Sequence, residues 1–259
     1  RLEYRVGIVA NSDGHKGRPG ASYPGAALFG AVGGLTCFLV SELTRQSILG
    51  AIRKRHHYAT TGGAHGRPLV TLSAAFSKPA TIYHDDPRHG QISGSSASTA
   101  MMGDIVHLPD GDMTLDVDIT CSKPIERVDI FNGLSLVETI RPYRQEELGN
   151  RIRVIWEGAE YRGRFRQVIW DGSAFLSDNE ILSATPINFF NKDKTLDQPA
   201  PNELHWKALT TGNIGGFDMT LADAYNGTLK IETPLVKAGI PIEDIGFEDE
   251  VFDNSGDLP

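Results

Sequence analysis

Cysteine is scarce in this 259-residue chain: Cys37 and Cys121 are the only two, far apart and in no ligand spacing. That excludes a cysteine-built zinc site and a disulfide-dense scaffold. Both fall in strand-like stretches, where an inert, buried thiol is expected. Basic excess is also lacking. The formal net charge is −8, which argues against a nucleic-acid or anionic-membrane partner, since both need a basic surface. No apolar run approaches the roughly 20 residues that a membrane-spanning helix needs; the longest, Ala26 to Val40, is interrupted by glycines. The glycines of "GAALFGAVGG" are followed by no Gly-Lys-Ser/Thr, so they make no phosphate loop. The serines of "ISGSSAST" carry no G-x-S-x-G elbow and read as a loop or linker.

What is present is ordinary globular composition, 40% hydrophobic and 22% charged, in a chain long enough to bury a core as one large or two ordinary domains. Its two parts differ in texture. Residues 4–10, "YRVGIVA", read as a buried strand, and "LTCFLVSE" (35–42) as a strand buried on both faces in a parallel sheet or barrel. Thr44 is placed to cap a helix over "RQSILGAIRKRHH", with Ile48, Ala51, Ile52 and Arg55 at helical spacing. The basic cluster 53–57 then falls in the last turn, where it suits the helix dipole and reads as a solvated end.

From residue 68 onward, helical periodicity is almost absent. Short runs rich in β-branched and aromatic residues recur between turn signals, among them "RIRVIWEG", "FRQVIWDG", "LHWKALTT" and "GTLKIETP". "TLDVDIT" alternates strictly, as a strand with one wet face does. This pattern predicts an antiparallel, sandwich-like region. Trp156, Trp170 and Trp206 lie within these runs and are expected in the core rather than on a binding face.

The chemistry-bearing stretch is "NSDGHKGRPG" (11–20). Asp13 and His15 offer a carboxylate oxygen and an imidazole nitrogen, donors that suit zinc, manganese or iron. An Asp-x-His at the end of a strand brings two ligands to one point, and in parallel α/β barrels catalytic groups gather at that end of the strands. Asp-Gly is equally a common turn dipeptide, and on spacing alone both readings stand. Three other clusters read as plain structure: the polar loop "YHDDPRHG" with His84, Asp85, Asp86 and His89; "HLPDGDMT", which lacks a full calcium-loop pattern and reads as a hairpin turn; and His56-His57, which become ligands only if folded back.

The order of these features, with "NSDGHKGRPG", "GGLTCFLVSELTRQSI" and "HHYATTGG" followed by "GAEYRGRFRQVIWDG", "PINFFN" and "ETPLVKAGIPIEDIGFED", resembles the C-terminal part of a large, mostly bacterial family of uncharacterised proteins. Their catalytic domain is similar to the polymerase-and-histidinol-phosphatase (PHP) metallohydrolases. The resemblance implies an α+β chain: residues 1–67 supply the last strands and helix of a PHP-like (β/α) barrel, and residues 68–259 a mostly antiparallel β-sandwich-like domain. It implies that Asp13 and His15 are metal ligands in a site of two or three divalent transition ions (Zn, Mn or Fe), and that Arg18 orients a small anionic substrate through its planar guanidinium. Glu42 is a candidate supporting carboxylate or a surface one; Tyr58 and Thr60 are structural. The implied reaction is hydrolysis of a phosphoester or related ester by a metal-activated water.

The departure from the family is the missing His-x-His pair, which occurs nowhere in the 259 residues. Two strands and a helix cannot close a barrel, so an upstream barrel segment is expected as a partner, from the same longer chain or a second polypeptide. The alternative is a non-catalytic β-rich binding or assembly module attached to an incomplete or degenerate barrel.

Overall fold

Strand signals dominate the sequence and strands dominate the computed structural model, which describes residues 5–11, 34–60, 66–83, 93–161, 166–189 and 191–253. The protein is mostly antiparallel β with one short helix, and none of its sheets closes into a barrel among the described residues. It divides into two compact units, Arg1–Ile125 and Glu126–Pro259. The 67/68 boundary expected from the sequence lies inside the first.

In the first unit, β1 (Leu35–Phe38) pairs antiparallel with β2 (His57–Thr60), Leu35 opposite Thr60 and Phe38 opposite His57. The parallel, doubly buried strand expected here is instead half of an antiparallel pair, with Leu35 exposed. Helix α1 (Arg45–Lys54) connects them. The Thr44 hydroxyl accepts the Ser47 N–H at 3.2 Å, the N-cap expected from the sequence, worth about 1 kcal/mol. Arg55 ends the helix in the left-handed region (φ 61°), and its N–H and that of His56 close on Ile52 O and Ala51 O. That reversal returns the chain along β1 and turns Arg55–His57 inward. Of the cluster expected to be solvated, only Arg53 and Lys54 are fully exposed.

The other sheet of this unit is built on β3 (Leu69–Tyr83). Along one edge lies β4 (Gly94–Met101); along the other lie β5 (Ile105–His107) and β6 (Met113–Thr120), one after the other. The serines read as a linker are therefore part of a paired strand. Pro79 falls where the β3–β4 register shifts, between Ala75 and Ala80, the kind of position that tolerates a residue without an N–H. "HLPDGDMT" is a bulge rather than a hairpin turn. The Ser77 N–H donates to Asp112 O at 3.0 Å and the Ser77 hydroxyl oxygen accepts the Asp112 N–H at 2.8 Å, and Lys78 pairs with Asp110, while β5 and β6 stay on the same edge. The Tyr58 hydroxyl donates to Pro68 O at 2.8 Å and accepts the Val70 N–H at 3.1 Å, tying β2 to the start of β3.

The second unit contains β7 (Val128–Asn132), β8 (Ser135–Ile140), β9 (Arg151–Glu157), β10 (Val168–Ile169), β11 (Gly172–Ser177), β12 (Ile181–Ile187), β13 (Leu196–Ala200), β14 (Glu203–Trp206), β15 (Leu209–Thr210), β16 (Ile214–Leu221), β17 (Thr228–Glu232) and β18 (Lys237–Pro241). A five-stranded sheet runs β13-β14-β11-β17-β18, and a three-stranded sheet runs β12-β16-β9. Side chains from both meet in one core: Leu176, Leu204, Trp206 and Leu229 from the first, Trp156, Phe217, Met219 and Leu221 from the second. Each large side chain so buried contributes roughly 1.5–3 kcal/mol. The indoles of Trp156 and Trp206 stack at 5.3 Å with their planes 12° apart, and Trp170 packs against the same cluster. The tryptophans therefore belong to the core.

Candidate functional site

Asp13, His15 and Arg18, the expected metal ligands and substrate-orienting residue, lie outside the described residues, as do His84, Asp85, Asp86 and His89. Described on either side of the 13–18 stretch are the segments by which the chain enters and leaves it. Residues 5–11 are not a buried strand. Val6, Ile8 and Val9 are 74%, 70% and 54% exposed, and the segment takes no ladder position. It is nevertheless held firmly. Thr36 Oγ1 donates to Ala10 O at 2.9 Å and accepts the Ala10 N–H at 3.1 Å, and the Gly34 N–H donates to Asn11 O at 2.9 Å. The contacts run antiparallel to β1. A Cβ on Gly34 would lie 2.6 Å from the Ala10 Cβ, so this approach requires glycine.

The second anchor is His57, 7% exposed. Its Nδ1 lies 3.0 Å from Ile8 O. A carbonyl only accepts, so Nδ1 is the donor in this contact. The edge of the ring abuts Gly7, where a Cβ would sit 2.6 Å from both Cε1 and Nε2. Phe38 meets the imidazole edge-on at 5.7 Å. The histidine regarded as a ligand only if folded back is thus folded back, onto the backbone that leads to Asp13.

Beside it, His56 Nε2 lies 2.9 Å from Asp104 Oδ1, and Asp104 Oδ2 accepts the Met101 N–H at 2.9 Å. Arg55 Nε donates to Gly103 O at 3.0 Å. The end of α1 is thereby docked onto the β4–β5 turn. An open depression of about 680 Å³ is lined by Arg5, Gly7, Ile8, Arg55, His57 and Asp104, among others. Glu42 stands at the surface, accepting from the Ser47 hydroxyl at 3.5 Å before α1. Burial, and then the neighbouring Cys37, pushes the Tyr58 phenol up from its ordinary value, and its hydroxyl is committed to Pro68 and Val70. This is a structural assignment.

Among the described residues, no group of three or more His, Cys, Asp or Glu side chains converges to hold a metal ion. The donor set that PHP-like chemistry needs is therefore not assembled from the described residues. Sequence reasoning missed Asp104 and the anchoring role of His57. Their partners lie 48 and 49 residues away, beyond any local pattern. Comparison with known proteins gave no matching family model, no matching curated protein and no matching solved structure.

Proposed function

We propose that this chain supplies part of the metal site of a hydrolase acting on a phosphoester or a related ester. In this reading, residues 1–67 complete a PHP-like barrel and residues 68–259 form a sandwich-like domain beside it. Asp13 and His15 contribute ligands to two or three divalent transition ions, and Arg18 orients a small anionic substrate. An upstream barrel segment, from the same chain or another, supplies the remaining ligands. The supporting observation is the double anchoring of residues 5–11 by Thr36 and His57, with a single hydrogen bond between Asn11 and Gly34 joining the two ends of the 12–33 segment. The neck holds Asn11 and Gly34, the described residues that flank the stretch carrying Asp13 and His15, and fixed approach geometry is what a ligand pair requires.

Native mass spectrometry with metal analysis, alongside turnover of p-nitrophenyl phosphate, tests this on the protein purified together with the upstream segment that completes the site. Asp13→Ala and His15→Ala are each expected to lose bound metal and hydrolysis together. Full metal content and unchanged turnover in Asp13→Ala would refute the reading.

One observation favours the second reading, a non-catalytic binding or assembly module. Strand β8 is exposed along its whole length, and Phe131, Leu134, Leu136 and Val137 present apolar surface to solvent, more than scattered surface residues would. A lone, metal-free chain of 28.2 kDa in the same mass spectrum is the outcome this reading expects.

A further inference from the structure

Strands β7 and β8 form a hairpin that pairs with no other described strand. Its two-residue turn, Gly133-Leu134, has Gly133 at φ +65° and Leu134 95% exposed. A two-stranded ribbon of this kind is marginal in water unless something else holds it. What holds it is at its feet. Arg127 precedes β7, Arg141 follows β8, and Val128 opposite Ile140 is the last pair between them. The Asp249 carboxylate takes both: one oxygen pairs with Arg127 Nη1, the other with Arg141 Nη2 at 3.3 Å. The network continues into the hairpin, with Arg127 Nε on Asp129 Oδ2 at 2.9 Å and the Thr139 hydroxyl on Asp129 Oδ1 at 2.8 Å.

Arg141 is the pivotal group. Its side chain is only 6% exposed, its guanidinium lies over the Phe247 ring at 5.2 Å, and its Nε is buried with no hydrogen-bond partner among the described residues. Phe247 also meets Tyr143 edge-on at 5.6 Å. A buried cation is costly when its counter-charge is removed, and cation–π contact offsets part of that cost. The segment carrying Phe247 and Asp249 is rooted at its other end, where Ile242 is buried in the core and Ile245 packs against it.

We propose that residues 246–250 are a releasable strap: Asp249 clamps both feet of the β7–β8 hairpin, and opening the clamp unfastens the hairpin while the two-sheet core stays folded. The strap thereby decides whether the apolar surface of Phe131, Leu134, Leu136 and Val137 is presented on an ordered arm. The proposal does not depend on the hydrolase reading, because no metal or substrate enters it.

Hydrogen exchange read by mass spectrometry on the full chain tests it. Asp249→Asn keeps the shape and removes the charge; it is expected to speed exchange across 128–140 by about tenfold while β11 and β16 keep their protection. Raising the salt concentration is expected to move the wild type in the same direction by a smaller factor, since Arg127 and Asp249 are partly solvent-exposed, and to leave Asp249→Asn nearly unmoved. Arg127→Gln, which frees one foot only, is expected to fall between. Unchanged hairpin exchange in Asp249→Asn overturns the proposal. So does equal loss of protection in β11 and β16, which would make the clamp part of global stability.

Discussion

The two units hide very different things. Among the described residues, the first buries Ala51, Ala80 and Ile105 as its apolar interior, whereas the second buries Trp156, Leu176, Leu204, Trp206, Phe217, Met219, Leu221 and more. The first is held largely by backbone ladders and by polar anchors that reach across long sequence separations: His57 to Ile8, His56 to Asp104, Arg55 to Gly103. The second is a hydrophobic core with strands around it. Apolar burial is non-directional and tolerates approximate placement, whereas a hydrogen bond fixes atoms to within a few tenths of an ångström. The described part of the first unit is built by the second method. Placement, more than bulk stability, is what its construction provides.

The largest way to test that contrast is in the second unit. Phe217→Ala removes a ring that packs on Trp206 at 5.2 Å and Trp156 at 5.9 Å, and leaves a cavity between two sheets. The expected loss is about 3–5 kcal/mol. Urea unfolding followed by tryptophan fluorescence reads it directly, because all three tryptophans lie in this unit. A loss below about 1 kcal/mol would mean that the core is far more plastic than its packing implies.

A smaller effect, of different character, is expected at the anchor. His57→Ala removes the donor to Ile8 O, and the expected cost is about 1–2 kcal/mol. Gly7→Ala drives a Cβ into the same ring. Because the two changes attack one contact, the double variant is expected to be less destabilised than the sum of the singles. Exchange at the amides of residues 7–11 is the readout. Additivity would show that Gly7 and His57 do not act together.

The same contrast explains what was legible in the sequence. Local signals were reliable in part: the Thr44 cap and the helix starting at Arg45 follow from neighbours within four residues, though the helix stops at Lys54 rather than running through His57, and β6 alternates at Val117 and Ile119 while Leu115 is exposed. The tryptophans read as core and are core. Strand β16, which carries Phe217, Met219 and Leu221, is not among the runs named from the sequence, and Gly215-Gly216 interrupts its apolar pattern. There the glycines serve close packing instead: a Cβ on Gly215 would sit 2.7 Å from Trp156 Nε1, and one on Gly216 would collide with Val154 O. The "YRVGIVA" segment was misread in the opposite sense, its apolar composition taken for burial although Val6, Ile8 and Val9 face solvent. As for the candidate site, Asp13, His15 and Arg18 were legible only as residue types at a spacing. The described anchor before them, His57 on Ile8, joins residues 49 apart, and no periodicity encodes that.

The smallest effect concerns a charge on the outer side of the second unit's core. Arg153 on β9 grips Asp218 on β16 through Nε at 2.7 Å and Nη2 at 3.0 Å, and reaches Glu126 with Nη1 at 2.7 Å. The Arg153 hydrogen bonds hold the Asp218 carboxyl below its ordinary value of 3.8, against the opposing effect of burial. A carboxyl whose pKa is lower when folded binds protons more readily when unfolded. Its contribution is therefore fully present above 3.8 and is lost as pH falls below that value toward the folded one. Both side chains are partly exposed, 39% for Arg153 and 23% for Asp218, so screening limits the contribution to about 0.5–1 kcal/mol. Asp218→Asn is expected to be less stable than the wild type by that amount at pH 7. The gap should close as unfolding is measured at successively lower pH, below 3.8. A gap that stays constant would assign the effect to packing or amide hydrogen bonding. A gap that widens in acid would reverse the sign argued here, and would mean that the carboxyl is held protonated rather than ionised between the strands.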